Sequence, residues 1–283
     1  MARVRRRTLL GVLTSAAVGG PYLLTSGSAP AAGAGGGEPA LAAAAADAYP
    51  SNTALYADPA LAEGVDYARR YRRHPALDDD LGQNAPFPSA VVIAPHGGGI
   101  EVGTSELCLA IAGYHPATLA VTPAGGPVRD YWMFEGLRAS GNGELHVTST
   151  HCDDPYARSL CAGARYAVSL HGCTPADAGL PDGTAAVAVG GRDTTLKGYL
   201  LQEYARVGVR ALDARDLAAI NGDEPENIAN RTLTGAGAQL ELTTPLRTAM
   251  FGTNTRAQRK NTTLPVFWDF VAATRVALAR RTG

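Results

Sequence analysis

Hydrophobic and polar positions along this chain follow two periods, one suited to strands and one to helices. The run at 89–95, Ser-Ala-Val-Val-Ile-Ala-Pro, is apolar between turn signals and predicts a buried strand of the parallel type. Gly97-Gly98-Gly99 follows as a turn. The stretch 104–112 then predicts a helix, with Thr104 as N-cap and Glu106 in its first turn. Further strands are predicted at 144–150, 166–170, 185–189, 209–212 and 237–242. Further helices are predicted from Asp153-Asp154-Pro155, over 194–207 and over 267–279. This alternation predicts one α/β domain with a mixed, largely parallel central sheet and helices on both faces. Ligands in such sheets gather at the carboxyl ends of strands.

The first 50 residues follow neither period. Arg5-Arg6-Arg7-Thr8-Leu9-Leu10 opens a mildly apolar run to Leu24, followed by small residues through Ala34. The order of charge, apolar run and small residues predicts an export signal over 1–34. Arg6-Arg7 with Leu9-Leu10 resembles a twin-arginine (Tat) signal. That implies secretion through the Tat machinery. The run is too short and glycine-rich for a membrane span, so no stable membrane anchor is expected. Residues 35–50 are dominated by Ala and Gly and are expected to be a linker, leaving 51–283 as the domain.

Composition narrows the function. The 283 residues are 46% hydrophobic, which excludes disorder throughout. Lys+Arg number 25 and Asp+Glu 26, which excludes a generally basic nucleic-acid binder. Every acidic residue lies after position 34, so the remainder is mildly acidic. An anionic ligand would therefore need a local arginine cluster.

Candidate chemistry sits at the predicted strand ends. His96 closes the strand before the glycine turn, Glu101 follows that turn, and His171 and His151 close two other strands. Two His and a carboxylate with an open fourth position make the ligand set of a catalytic zinc. A histidine before glycines can equally be a turn residue. His74, His115 and His146 read as structural or surface residues. Glu241 shares the polar face of its strand with Gln239 and Thr243. It reads either as a general base beside a metal or as an edge-strand surface carboxylate. Cys108, Cys152, Cys161 and Cys173 allow three full disulfide pairings, or none. The absence of C-x-x-C disfavours a cysteine zinc site. No G-x-S-x-G, H-E-x-x-H or phosphate-binding loop occurs.

Several segments resemble, in order, the motifs of the poly-γ-glutamate hydrolase family. They are His96-Gly97-Gly98-Gly99-Ile100-Glu101 with Gly103-Thr104-Ser105-Glu106, Phe134-Glu135-Gly136-Leu137, Thr148-Ser149-Thr150-His151 and Ser169-Leu170-His171-Gly172. Gly190-Gly191-Arg192-Asp193, Asn227-Ile228-Ala229-Asn230-Arg231 and Gly237-Ala238-Gln239-Leu240-Glu241-Leu242 complete the set. The resemblance implies a zinc carboxypeptidase-like fold and one zinc ion held by His96, Glu101 and His171. It also implies Glu241 as general acid/base and an anionic γ-glutamyl polymer or peptide as substrate. The His-Glu spacing departs from the H-x-x-E of the carboxypeptidases. Arg192, Arg231 and Arg247 are candidates for the substrate carboxylates. His151 would stabilise an oxyanion or pack beside the ligands. A zinc peptidase of cell-wall peptides and a non-catalytic binder of anionic ligands are the competing functions.

Overall fold

A computed structural model describes residues 47–74 and 89–283. The expected export signal, and residues 35–46 of the expected linker, lie outside the described residues. Asn52–Tyr56 forms α1, capped by the Ser51 side chain, and Tyr67–Arg72 forms strand β1. The strand read at 89–95 is β2, Ala90–Gly98, buried along its whole length. Helix α2 is Thr104–Ala112, with Gly103 rather than Thr104 at the cap, in the left-handed region at φ 99°. β3 is Asp130–Gly136, α3 Pro155–Gly163 and β4 Tyr166–Cys173. β5 is Val187–Gly190, α4 Thr194–Arg206, β6 Ala211–Asp213 and β7 Ala238–Thr243. Helices α5, Thr244–Ala249, and α6, Pro265–Thr282, close the chain.

The sheet has seven strands in the order β1-β3-β2-β4-β7-β5-β6. β3, β2, β4 and β7 run parallel, as do β5 and β6; β1 against β3 and β5 against β7 are antiparallel. The mixed, largely parallel α/β sheet expected from the pattern is therefore the observed one. Alternation along β2 divides its side chains between two cores. Val92 and Ala94 pack with Leu107 and Ile111 of α2, Leu200 of α4 and Phe270 of α6. Val91 and Ile93 pack on the other face with Trp132, Phe134 and Leu160 of α3.

Two expectations fail. Residues 144–150 are not a strand, and His151 does not end one. Asn142–Leu145 and Ser149–His151 are 3-10 turns. Leu145 and Val147 are both buried and mimic the strand period, but the backbone amides are satisfied locally, His146 N–H by Gly143 O and His151 N–H by Thr148 O. The strand in that region is β3. Its signal was the apolar run from Tyr131 to Phe134 between Asp130 and a glycine, with Trp132 and Met133 fully buried.

Candidate metal centre

The centre begins with a local turn. Gly97 lies so close to its neighbours that a Cβ there would sit 2.3 Å from Ser105 Oγ and 2.9 Å from Phe134 O. Gly98, at φ 67°, then reverses the chain. The reversal returns Glu101 to the strand it left: its N–H donates to His96 O at 2.8 Å, and its Oε1 lies 2.9 Å from His96 Nδ1. Thr104 Oγ1 donates to Glu101 O at 2.8 Å and holds the turn.

β4 supplies His171. Its Nδ1 is 3.1 Å from His96 Nδ1 and 3.7 Å from Glu101 Oε2. The Gly172 N–H donates to that same Oε2 at 2.9 Å. The outward ring nitrogens are occupied: His96 Nε2 meets Val147 O at 2.9 Å, and His171 Nε2 lies 3.1 Å from Ser149 Oγ and 2.9 Å from Ser169 Oγ. Both Nδ1 atoms and the carboxylate therefore face a common point. Outer partners that orient imidazoles in this way are the usual support of a metal site. The nitrogen and carboxylate donors suit zinc, and the three expected ligands are brought together.

The structure adds a third imidazole. His146 stacks on His96 with ring centroids 3.8 Å apart, and its Nε2 is 3.9 Å from Glu101 Oε1. His96, Glu101 and His146 offer ligand atoms within 4.8 Å of one another. Asp47 orients this ring: its Oδ1 is 2.7 Å from His146 Nδ1, while its Oδ2 accepts from Thr148 N–H at 2.6 Å. His146 is thus part of the centre rather than the structural or surface residue expected. Asp47 comes from the stretch expected to be linker.

Burial and proximity set the charges. Burial opposes ionisation of Glu101, but the adjacent His96, His171 and His146 hold it down at about 2. Burial also opposes charge on His96, yet Glu101 and the Val147 carbonyl raise it above the ordinary histidine value. Burial, with the neighbouring imidazoles, lowers His171 to about 3 despite Glu101. Charge on His96, then burial, lowers His146.

Glu241 lies on β7 in register with His171 on β4. It is buried, so the surface edge-strand reading fails; β7 runs inside the sheet between β4 and β5. Burial, reinforced by the charge of Glu101, raises its carboxyl well above the ordinary range. Gln239 Nε2 donates to Glu241 Oε1 at 2.8 Å, and Asn227 Nδ2 donates to Gln239 Oε1 at 2.8 Å. This relay was missed from sequence, although Gln239 sits two residues from Glu241 on the same strand face.

The remaining candidates divide between the surface and the core. His151 is 57% exposed, and its Nδ1 approaches Asp47 Oδ2 only to 3.9 Å. Arg192 and Arg231 are exposed, and the Arg231 guanidinium donates to Glu226 O at 3.2 Å. Arg247 is buried, donating to Leu242 O, Val102 O and Thr244 Oγ1 at 2.9–3.2 Å, with its guanidinium against Gly172. It braces the segments that carry Glu101 and His171. All four cysteines are buried free thiols; Cys108 bonds to Val92 O at 3.5 Å.

Comparison with known proteins bears on the family and the fold. Residues 83–273 match the family described as poly-gamma-glutamate hydrolase. The SPbeta prophage-derived protein YoqZ of Bacillus subtilis (strain 168) is 34% identical over 182 residues, covering 64% of this chain and 59% of YoqZ. YndL of the same organism is 32% identical over 182 residues, covering 64% of this chain and 63% of YndL. The chain thus spans about three fifths of the length of these curated relatives. A bacteriophage poly-gamma-glutamate hydrolase structure superposes with a TM-score of 0.67 at 32% identity, covering 83% of this chain and 98% of the phage chain. The zinc-free apo form of YndL superposes with a TM-score of 0.66 at 28% identity, covering 83% and 99%.

Proposed function

This chain belongs to the poly-gamma-glutamate hydrolase family, and from that membership we propose that it is an exported, zinc-dependent hydrolase of γ-glutamyl amide bonds in an anionic polymer. The observation that carries the reading is the convergence of His96 Nδ1, His171 Nδ1 and the Glu101 carboxylate beside Glu241. His96, Glu101 and His171 would hold one zinc ion, with His146 against them as a fourth donor or an outer support. When bound, the ion polarises the scissile carbonyl and acidifies water.

Glu241 does the proton work. Its carboxylate takes a proton from the attacking water as the carbon–oxygen bond forms. The resulting carboxyl returns that proton to the amide nitrogen as the carbon–nitrogen bond breaks, releasing an acid and an amine. Burial and the Glu101 charge raise the Glu241 carboxyl above the ordinary glutamate range, the direction in which proton-transferring carboxylates are tuned. Gln239, steadied by Asn227, fixes one oxygen of Glu241 and leaves the other to handle the proton. Arg247 keeps a cation beside this cluster of carboxylates, while exposed Arg192, Arg231 and His151 would meet substrate from outside.

The decisive experiment follows amine release from poly-γ-glutamate before and after chelation. Activity should vanish with chelator and return with added zinc. Full activity in excess chelator would overturn the metal assignment, and no release by the zinc-loaded protein would overturn the substrate. Among the described residues no helix is long and apolar enough to cross a membrane. Export rests on Arg6-Arg7 and the apolar run behind them. Replacing both arginines by Lys should retain the precursor in the cell; unchanged extracellular protein would refute the Tat route.

A further inference from the structure

The β2–α2 turn that carries His96 and Glu101 also lines a cavity of about 770 Å³. Gly98, Ser105 and Glu106 form that wall. Five cations line the cavity from three separate segments: Arg70 of β1, Arg138 beyond β3, and Arg256, Arg259 and Lys260 from the loop before α6. Two carboxylates, Glu106 and Glu135, face them. Arg70 pairs with Glu135 at 2.5 Å, Arg259 with Glu106 at 3.2 Å, and Arg138 with Asp66 and Glu144 at 3.1 and 2.9 Å.

Arg256 and Lys260 have no carboxylate within ion-pair distance among the described residues; Arg256 donates to the Leu137 carbonyl. Both are exposed. The Oε2 of Glu106 is buried and has no hydrogen-bond partner. A buried oxygen without a partner is costly. The remaining wall is apolar, with Leu109, Pro116 and Leu119 among its residues.

We propose that this cavity is a binding site for a γ-glutamyl chain, taking its pendant α-carboxylates on Arg256 and Lys260 at a distance from the bond that is cut. The choice of ligand rests on the hydrolase reading above; the site itself rests on the cavity. Arg256 and Lys260, four residues apart on one loop and flanked by the paired cations, suit successive carboxylates on one chain. The apolar wall suits the two methylenes that each γ-linked residue places in the main chain. Burial raises the Glu106 carboxyl above its ordinary value even though Arg259 opposes the shift.

The test is an Arg256→Ala/Lys260→Ala double variant of the full chain. Both side chains are exposed, and an unchanged Tm checks the fold. For long poly-γ-glutamate, KM should rise about 10-fold with kcat retained, the size that two solvent-exposed ion pairs support. For a γ-glutamyl dimer or trimer, KM should hold. Labelled polymer should bind the EDTA-treated variant about 10-fold more weakly than EDTA-treated wild type. Added salt should narrow that gap by screening the exposed cations.

Equal polymer KM and Kd in variant and wild type would overturn the proposal. So would an equal KM rise for the short oligomer, which would place the two cations at the catalytic centre. Citrate or inorganic phosphate binding that is lost in the variant while polymer affinity stays fixed would also overturn it, in favour of a free anion. A wild-type protein that cuts no polymer yet binds it through Arg256 and Lys260 would remove the hydrolase reading and support the cavity.

Discussion

One turn, from β2 to α2, carries two sites of opposite construction. On one side, His96, Glu101 and His171 are buried and each has its outer atoms fixed by a neighbour. On the other, Arg256 and Lys260 stand exposed in a wide cavity, with no carboxylate within ion-pair distance among the described residues. Low dielectric makes buried charges strong, and costly when a partner is removed. Exposed charges are weak one by one, screened by salt, and effective only as a set. The first construction suits chemistry at one point; the second suits holding a long, variable ligand.

The comparison breaks most visibly at the ligands. His171→Ala should lower zinc affinity by more than about 10²-fold, since outer-shell partners alone contribute about 10–100-fold. A competitive chelator titration giving wild-type affinity would remove His171 from the centre. Glu241→Gln should lower kcat by at least about 10²-fold while zinc and fold are retained. Wild-type turnover in that variant would leave Glu241 a structural residue.

Smaller effects sharpen the same contrast. Gly97→Ala drives a methyl towards Ser105 Oγ and the Phe134 carbonyl, and should cost about 1–3 kcal/mol in urea unfolding. An unchanged midpoint would show that the turn has slack. Asn227→Ala reaches Glu241 only through Gln239, so kcat should fall by about 10-fold with zinc affinity unmoved. Equal loss of zinc affinity would place Asn227 in support of the metal instead.

The mildest test uses pH on metal-free protein. His171 is lowered to about 3 in the folded state. Between the ordinary histidine pKa, roughly 6.5, and that value, the unfolded chain binds a proton that the folded chain refuses. Its stabilisation is therefore present above about 6.5 and is lost as pH falls towards the folded value. Glu101, held at about 2, acts in the same sense at lower pH. His96 is raised, so its contribution is present below the ordinary histidine pKa and is lost as pH rises. His171→Asn should reduce the fall in Tm between pH 6.5 and 4 by a few degrees, roughly a 1 kcal/mol effect. Parallel Tm curves for variant and wild type would show that His171 accepts its proton without cost.

The legible part of the centre was the part built locally. The apolar run at 89–95 and the glycines after it announced strand and turn, and the turn closes within six residues from His96 to Glu101. His171 was legible as the close of a predicted strand before a glycine, and Glu241 because alternation sets it on the polar face of its strand. His146 was misread because Leu145 and Val147 bury with a strand-like period of two while their backbone makes 3-10 turns. Asp47 escaped because its Ala-rich surroundings carry no period at all.

The class of sheet, the glycine turn and the residue types able to hold a metal are written in the order of residues, since backbone hydrogen bonding and side-chain period act over a few residues. Which of these residues meet is set by the folded chain. Strand β4 lies beside β7, some seventy residues away, and this sets His171 against Glu241; Ser149 and Val147 then lock the imidazoles from a segment with no strand of its own. The cationic cavity likewise exists only where β1, the end of β3 and the loop before α6 come together. Such meetings follow from burying two apolar faces of one sheet at once, a condition on the whole chain that no short stretch encodes.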